Sequence, residues 1–256
     1  MKITIWNVNS IKARTPHVQR FLKERSPDVL MVQELKGENF PHDDFADAEY
    51  TIEAVGQKAY NGVAIFSKSE HNMRIVHTAL PSDSTDEQAR YIEADVNGLR
   101  LINIYAPNGN PMGTEKFDYK LAWLKRLHER LHALRNENTP FIIGGDFNII
   151  PTDEDCHDPN AWRGDALFQP QSIAMYRAFI NLGLSDAFRT FNQQPEQYSF
   201  WDYQAGAWPK NNGIRIDHFL TSPMATDRTQ SCIIDKEPRG WERPSDHTPV
   251  SIEIDW

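Results

Sequence analysis

The chain has 256 residues and a formal net charge of −9, because 36 acidic side chains outnumber 27 basic ones. This charge argues against binding nucleic acid over a broad basic surface, but it leaves open a local basic groove or a metal ion that meets phosphate. Hydrophobic residues make up 39% of the chain, enough for a substantial core without disulfide bonds or structural metals.

The two cysteines, Cys156 and Cys232, belong to no CxxC motif, so we expect no disulfide framework and a reducing, cytoplasmic setting. The apolar run at the N-terminus stops at Trp6, which is too short for a signal peptide. No later run is long enough to span a membrane, so we expect no membrane partner.

In chain order, short apolar runs bounded by turn residues predict β-strands. These runs are ITIW, DVLMVQ, GVAIFSK, YIEADV, LRLINIY, PFIIGG, IRIDHFLTS and TPVSIEIDW. Several of them end at or beside a polar residue that is unusual for a core, such as Asn7, Glu34 or Asp146. Strand ends are common places for ligand sites, so these polar residues are the first candidates for function.

Between some of the strands, apolar residues three and four positions apart predict helices over 16–25, 115–137 and 172–182, the last ending before Gly183. The apolar face of the long helix comprises Phe117, Leu121, Leu124, Leu127, Leu131 and Leu134. Residues 151–171 show no clear period and predict a functional loop or a small subdomain. Many strands and few helices favour two sheets packed face to face, with helices outside and polar strand ends at one rim.

The segment GGDFN (144–148) is the strongest single chemical signal. Its glycines allow a tight turn or a close approach of the backbone. Asp146 and Asn148 are two residues apart, so in extended backbone both point the same way. The carboxylate can then act as a base and the amide can donate to an oxyanion. The alternative is an ordinary Asp-x-Asn turn after a buried strand.

The other candidates each have an ordinary explanation when taken alone. Glu34 closes an apolar run, so it is either exposed at a strand tip or held for a cation. Asp217 lies among apolar residues and needs a partner if it is buried, because unpaired buried charge is costly. Tyr105 can be packing, and a lone histidine such as His247 is more often structural than catalytic. Asp246 precedes His247 in a strand-like segment, where neighbouring side chains point to opposite faces, so the two are not expected to pair.

The combination of these residues is more informative than any one of them. Carboxylate and amide oxygens suit Mg²⁺ or Mn²⁺, and no Cys/His cluster competes as a zinc site. A hard divalent ion, a histidine and a second acid are the parts needed for metal-assisted hydrolysis of a phosphoester.

At this point the chain resembles the exonuclease III family of AP endonucleases, within the endonuclease/exonuclease/phosphatase superfamily. The matching segments are WNVNSIKAR, VQELK, NGVAI, YAPNG, GGDFNI with PTD, YSFWDY, IRIDHFL and PSDH, which cover essentially the whole chain in order. The resemblance implies an α/β fold, a four-layered α/β/β/α sandwich of two packed mixed β-sheets flanked by helices. It also implies one catalytic domain over 1–256, dependence on Mg²⁺ with Mn²⁺ as a substitute, and cleavage of DNA phosphodiesters.

The resemblance implies Glu34 as the principal metal ligand, with Asn7 and Asp246 close to it. The full set of ligands implied for one ion or two is Asn7, Glu34, Asp146, Asn148, Asp246 and His247. The count of ions stays open.

The same resemblance implies the catalytic roles. Asp146 orients or deprotonates the attacking water, while Asn148 and His247 stabilise the charged phosphate oxygens. Tyr105 contacts the scissile phosphate or helps the leaving group. Asp217 pairs with His247, which leaves Asp246 free for the metal.

For the substrate, the resemblance implies an apolar pocket that admits a sugar lacking its base. Its walls are Phe200, Trp201, Ile214 and Ile216, although core packing is an alternative for each. The candidate phosphate contacts are Lys36, Arg90, Asn108 and Arg215, with Lys12 and Arg14 nearby. The loop over 153–170 differs between subgroups of the family, so it is where we expect substrate preference to be tuned.

We therefore expect a monomeric, Mg²⁺-dependent DNA repair nuclease. Its substrates would be duplex DNA cut 5′ to abasic sites and blocked 3′ ends trimmed by exonuclease and phosphatase action. One alternative keeps the fold but acts on a small or lipid phosphoester, as a phosphatase or phospholipase. A non-catalytic nucleic-acid-binding relative is a second alternative, against which the complete set of catalytic residues argues. The balance of activities and the preferred base opposite the lesion stay open.

Overall fold

The computed structural model describes all 256 residues. Its strands are β1 (Lys2–Asn7), β2 (Val29–Gln33), β3 (Tyr50–Val55), β4 (Val63–Lys68), β5 (Met73–His77), β6 (Tyr91–Val96), β7 (Leu99–Tyr105), β8 (Phe141–Asp146), β9 (Ser185–Asp186), β10 (Asp217–Thr221), β11 (Thr229–Ile234) and β12 (Val250–Ile254). Its helices are α1 (Ile11–Arg25), α2 (Glu115–Asn136), α3 (Pro159–Trp162), α4 (Pro170–Asn181), α5 (Ala187–Phe191) and α6 (Pro223–Thr226). No helix combines the length and the apolar composition needed to cross a bilayer.

The strands form two six-stranded sheets, in the orders β11–β12–β1–β2–β4–β3 and β5–β6–β7–β8–β10–β9. Each sheet contains one parallel pair, β1 with β2 and β7 with β8, while the remaining pairs are antiparallel. Both sheets are therefore mixed, as predicted.

Alternation along the strands explains how the layers pack. In β1, Ile3 and Ile5 point into the core between the two sheets, whereas Trp6 points outward to the core under α1. On the other side, α2 and α4 cover the outer face of the second sheet. The predicted four-layered α/β/β/α sandwich is confirmed.

A close approach of the two sheets depends on a glycine beside the functional rim. A Cβ atom on Gly144 would lie 2.6 Å from the ring of Phe219 and 2.8 Å from the Cγ2 atom of Ile5 in the facing sheet. Its neighbour Gly145 has a φ of 140° and no room for a side chain, since a Cβ there would lie 2.0 Å from the carbonyl oxygen of Ile104. The two glycines of GGDFN both lie within β8 and thus serve close packing rather than a turn.

The predicted helices are present, with two differences. The first begins at Ile11 rather than at 16, because the Ser10 side chain accepts the backbone N–H of Ala13 and caps an earlier turn. In α2, Lys120 is fully buried, whereas Leu121, assigned to the apolar face from the sequence, is only half-buried. Residues 151–169 form two 3₁₀ turns and the short α3 rather than a separate subdomain.

Candidate active site

The strand ends of both sheets meet at one rim. Tyr105, Asp146 and Asp217 lie directly opposite one another in the neighbouring strands β7, β8 and β10. The first sheet contributes Asn7 at the end of β1 and Glu34 after β2. A cleft of about 280 Å³ opens there, lined by Glu34, Tyr105, Asn108, Asn110, Asp146, Asn148, Trp162, Asp165, Leu167, Phe200, Ile216, Asp246 and His247.

The centre of the cleft holds two carboxylates and an imidazole. Glu34, Asp146 and His247 each place a ligand atom within 4.8 Å of the other two. The side-chain Nδ2 of Asn7 donates to Glu34 Oε1 at 2.9 Å and to Asp146 Oδ2 at 3.0 Å, while its Oδ1 accepts the backbone N–H of Asn9. The amide nitrogen of Asn7 thus holds the two carboxylates together, and its oxygen, which has two lone pairs and accepts one hydrogen bond, keeps the implied role as a metal ligand a prediction.

Glu34 sits in strained backbone at the tip of β2, with a φ of 57°. The ammonium of Lys36 lies 2.8 Å from Glu34 Oε2. Burial acts to raise the pKa of Glu34, but Lys36 and the Asn7 hydrogen bond outweigh it, so this pKa lies below its ordinary value. Glu34 is therefore an anion held inside the cleft. Left-handed backbone at a non-glycine residue costs free energy and clusters at functional sites.

Asp146 is buried, and burial raises its pKa to about 7, with Asp217 and Glu34 acting in the same direction against His247. Its Oδ1 accepts the backbone N–H of Asn148 at 2.9 Å. Asn148 has a φ of 50°, so the extended backbone assumed for this segment from the sequence is wrong. The end of β8 places the Asp146 side chain in the cleft, and the irregular backbone after that strand brings in the side chain of Asn148.

The amide of Asn148 is fixed by its neighbours. Its Nδ2 donates to the carbonyl oxygen of Ala106 at 2.9 Å, and its Oδ1 accepts from Asn108 at 3.1 Å. An amide nitrogen has two N–H groups, so one stays available for a phosphate oxygen.

His247 is oriented by Asp217, thirty residues earlier. Its Nδ1 lies 2.9 Å from Asp217 Oδ2, which also accepts the hydroxyl of Ser199 at 2.6 Å, and its Nε2 lies 3.8 Å from Asp146 Oδ2. Burial acts to lower the pKa of His247, but Asp217, helped by Asp146 and Asp246, raises it to about 10. The imidazole is therefore a cation whose Nε2–H faces the cleft.

Asp246 contacts a different partner from its neighbour. Its Oδ1 accepts from Asn9 Nδ2 at 2.9 Å, and the carboxylate lines the cleft. Tyr105 is also buried at the cleft, and burial together with Glu34 and Asp146 raises its pKa well above the ordinary value. Its hydroxyl therefore remains a donor. The guanidinium of Arg90 lies 5.0 Å from the centre of the Tyr105 ring.

Two of the four predicted pocket walls do not reach the cleft. Phe200 and Ile216 line it, whereas Trp201 is 0% exposed and packs against Tyr198 and Trp208. Ile214 is equally buried, in a small core with Leu167 and Phe168. The prediction that Trp201 and Ile214 face the substrate is therefore wrong.

The structure adds walls that sequence reasoning missed. Trp162, Asp165 and Leu167 all line the cleft and all come from the 153–170 loop. Their only signal in the sequence was the position of that loop beside GGDFN.

Arg215 was predicted to contact phosphate, and this is wrong. Its side chain is 1% exposed, and the guanidinium pairs with Asp155 at 2.7 Å and Asp186 at 2.9 Å. It anchors the base of the 153–170 loop instead. Lys36, Arg90 and Asn108 remain accessible around the cleft.

The donor set suits a hard divalent cation. Three carboxylates, those of Glu34, Asp146 and Asp246, line the cleft, and oxygen ligands are what such ions prefer. The ammonium of Lys36 already pairs with Glu34, which shows that this carboxylate attracts positive charge.

The fold and the rim define a class of protein. The chain belongs to the Endonuclease/Exonuclease/phosphatase family, whose model matches residues 5–247. Among its curated relatives, the exodeoxyribonuclease III of Haemophilus influenzae is 33% identical over 99% of this chain and 100% of its own length.

Solved structures give the same relationship. A 3′-5′ exonuclease from Neisseria meningitidis superposes with a TM-score of 0.94 at 38% identity, covering 100% of both chains. An AP endonuclease from Archaeoglobus fulgidus has a TM-score of 0.94 at 36% identity, again over 100% of both chains.

Proposed function

We propose that the chain is a Mg²⁺-dependent DNA repair nuclease that hydrolyses phosphodiesters of duplex DNA, 5′ to abasic sites and at 3′ ends. The observation that carries this proposal is the meeting of Glu34, Asp146 and His247 in the cleft, where one ligand atom of each lies within 4.8 Å of the other two and burial raises the pKa of Asp146. A buried carboxylate that can accept a proton and an imidazole beside it are matched to hydrolysis of a phosphoester. The exodeoxyribonuclease and AP endonuclease relatives support DNA as the substrate.

Glu34 and Asp246 would hold the Mg²⁺, with Asp146 able to share the same ion or a second one, and Mn²⁺ can substitute. When bound, the ion supplies positive charge to the scissile phosphate. Asn7 keeps the Glu34 and Asp146 carboxylates at a fixed separation, because its amide nitrogen has two N–H donors, one for each carboxylate.

The chain's own groups perform the proton transfers and the charge stabilisation. Asp146 accepts a proton from the attacking water. His247 donates Nε2–H to a phosphate oxygen, because Asp217 holds its other nitrogen. Asn148 donates its second amide N–H, and the protonated hydroxyl of Tyr105 donates to the phosphate or the leaving group.

The size and lining of the cleft support an extruded sugar without a base. About 280 Å³ lies at the small end of ligand sites. Phe200, Ile216 and Leu167 give the cleft an apolar wall. A normal nucleotide would bring a base that this wall leaves little room for.

A time course on three labelled duplexes tests the function: one with an abasic site, one with a 3′-phosphate and one with a plain recessed 3′ end. The same enzyme is also assayed on inositol phosphates and phospholipids. We expect turnover of the DNA substrates and little turnover of these phosphoesters. The reverse preference would favour the phosphatase or phospholipase alternative.

Glu34→Gln tests the metal site. We expect a weaker apparent affinity for Mg²⁺ and a lower rate, because the amide removes the anion that Lys36 and the ion share. The far-ultraviolet circular dichroism spectrum should be unchanged, which would show that the variant is folded. Wild-type turnover of Glu34→Gln at limiting Mg²⁺ would remove Glu34 from the role.

The same proposal treats residues 1–256 as one catalytic domain that acts as a monomer in the cytoplasm. Cys156 and Cys232 are both unpaired and buried, which suits a reducing compartment. Light scattering on the purified protein tests the oligomeric state.

A further inference from the structure

Lys120 interrupts the apolar face of α2. It lies at the spacing of three and four residues shared by Phe117, Leu124 and Leu127, and it is 0% exposed. Burying an ammonium is costly, so an apolar side chain would be the cheaper occupant of this position. The burial of Lys120 therefore requires polar contacts that compensate for the lost water.

Those contacts are with main-chain carbonyl groups. Lys120 Nζ donates to the carbonyl oxygen of Asn148 at 2.6 Å, of Asn108 at 3.0 Å and of Ala166 at 3.3 Å. Burial lowers the pKa of Lys120 to about 7. In its protonated form the side chain has three N–H groups and no acceptor, so its hydrogen-bonding capacity is matched to these three oxygens.

The three carbonyls come from three different segments, and each segment supplies the cleft. Asn108 lies in the loop between β7 and α2, Asn148 follows β8, and Ala166 lies in the 153–170 loop. The first two place their own side chains in the cleft, and the third is followed there by Leu167. Lys120 is a single point at which all three segments meet.

None of the three residues lies in a β-strand or an α-helix, although other hydrogen bonds also join their segments, such as Ala166 N–H to Asn110 Oδ1 at 3.1 Å and the Ser172 hydroxyl to the carbonyl oxygen of Ala166 at 2.7 Å. Asn148 lies beyond the last residue of β8, in left-handed backbone with a φ of 50°. Gly109 also has a positive φ, and a Cβ there would lie 2.8 Å from Lys120 Cδ, so the stem of the lysine packs directly against the loop.

We propose that Lys120 is a positioning residue that clamps the three loops of the cleft and so sets the place of the Asn148 and Asn108 amides. Removing its ammonium leaves three buried carbonyls without this donor. The loops then relax, and a displacement of about 1 Å at a catalytic group can cost on the order of 100-fold in rate. The inference rests on the proposed function for its kinetic readout only.

The test compares Lys120→Met, which keeps the length but has no donors, with Leu131→Ala on the same face of α2. Leu131 is also buried but lies three turns further along the helix. On abasic-site duplex we expect kcat of Lys120→Met to fall about ten-fold or more, with KM changed far less. Leu131→Ala, although destabilised, should keep kcat within about two-fold while it is folded.

Amide hydrogen exchange gives a readout that needs no substrate. Exchange should accelerate in segments 106–110, 147–150 and 165–168 of Lys120→Met and stay at the wild-type rate there in Leu131→Ala. If Lys120→Met does not fold, Lys120→Gln, which keeps two N–H donors, takes its place and should show the same changes to a smaller degree.

Two results would overturn the inference. One is a folded Lys120 variant with wild-type kcat and wild-type exchange in the three segments. The other is an equal loss of kcat in the Lys120 and Leu131 variants, which would mean that only general stability was lost. A wild-type protein that cuts no DNA would defeat the proposed function instead, and the exchange comparison would still decide the clamp.

Discussion

Two aspartates are candidates to orient His247 through its Nδ1, and only one of them contacts that atom. Asp217 lies 2.9 Å from Nδ1, whereas the neighbouring Asp246 is bonded to Asn9. The sequence made Asp217 the better candidate, since a carboxylate among apolar residues needs a partner and adjacent strand residues diverge. The position of Asp217 within a strand was predicted less well, because Asp217 is the first residue of β10.

We predict that Asp217→Asn lowers kcat on the order of 100-fold, the usual worth of a preorganised donor to a developing oxyanion. It should also lower the pKa of His247, because Asp217 is the main group that offsets the effect of burial. Asp246→Asn should instead change the Mg²⁺ dependence and leave that pKa nearer to its wild-type value. Titration of the imidazole by NMR, together with kcat, measures both effects.

A double-mutant cycle with His247→Asn tests the pairing directly. Asp217→Asn and His247→Asn should be strongly non-additive in kcat. Additivity for that pair, combined with strong coupling between Asp246→Asn and His247→Asn, would show that the adjacent residues act together.

Phe200 carries the second prediction at this scale. Its ring packs against the ring of His247 with centroids 4.9 Å apart, and it lines the cleft. Phe200→Ala should reduce incision at abasic sites more than removal of a 3′-phosphate, because an end needs less of the apolar wall. The rates on the two duplexes measure this.

Ile214→Ala is the matched control, since Ile214 is buried just behind the cleft. It should lower both rates in the same proportion, through stability alone. Proportional losses in Phe200→Ala as well would identify Phe200 as ordinary core packing.

Residue types and their places at strand ends could be predicted from the sequence, but the direction of a side chain could not. Trp201 and Arg215 stand in motifs beside site residues, and both face away from the cleft. Asn7 reaches the site and turns its amide nitrogen to the carboxylates of Glu34 and Asp146, while its oxygen accepts the backbone N–H of Asn9. Such outcomes depend on hydrogen bonds between segments that are distant in the sequence.

At the scale of elements, the strands that sequence reasoning missed share one property. They are β3, β5, β9 and β11, the four edge strands of the two sheets. Inner strands such as β2 (VLMVQ) are buried on both faces and appear as apolar runs, whereas edge strands are partly solvated and carry polar residues such as those of TQSCII. The core of the sandwich was therefore predictable and its borders were not.

A buried polar network joins β10 to the 153–170 loop, and His218 is its titrating member. Arg215 bonds His218 Nδ1 at 3.0 Å, and His218 Nε2 lies 3.0 Å from the carbonyl oxygen of Ile149. The guanidinium can only donate, so Nδ1 carries no proton and the ring is neutral. Burial, with Arg215, lowers the pKa of His218 from 6.5 to about 4.

The third prediction follows from this shift. As the pH falls, the unfolded chain takes a proton on His218 near pH 6.5, whereas the folded chain takes it only near pH 4. The free energy of unfolding therefore drops between these values, by roughly 3 kcal/mol at most. His218→Gln can keep both hydrogen bonds without a proton to gain, so it should lose about 2 to 3 kcal/mol less between pH 7 and 4.5.

Urea unfolding at the two pH values measures this difference. His132→Gln, which changes an exposed histidine on α2, is the control and should keep the wild-type pH dependence. The assignment fails if His218→Gln loses as much stability on acidification as the wild type does.

At the scale of the whole molecule, the charge of −9 and the proposed substrate impose opposite demands. Part of this conflict is relieved because basic side chains lie around the edge of the cleft. Since Arg215 is buried in ion pairs, the candidates left to meet phosphate are Lys36, Arg90, Lys12 and Arg14. DNA should therefore be held by few phosphate contacts and by the chemistry of the cleft.

The salt dependence of binding tests this. The slope of log K against log salt concentration is about −0.9 for each phosphate neutralised. Two to four contacts give a slope of about −2 to −4, which is much shallower than the slope expected of a broad basic surface. Lys36→Met should reduce the magnitude of the slope by about 1, because it removes one contact. Lys125→Met, on the exposed side of α2, should leave the slope unchanged.

Fluorescence anisotropy with Asp146→Asn allows binding to be measured without cleavage, at fixed Mg²⁺ and salt from about 50 to 200 mM. Lys36 is more informative than the other three basic residues, because its ammonium lies 2.8 Å from the Glu34 carboxylate. A bound Mg²⁺ would replace it as the partner of Glu34 and leave the ammonium free to contact a phosphate. Its effect on the slope should therefore be larger with Mg²⁺ than without it. A slope of −6 or steeper, or a Lys36→Met slope equal to that of the wild type, would mean that DNA is held by basic residues outside this cleft.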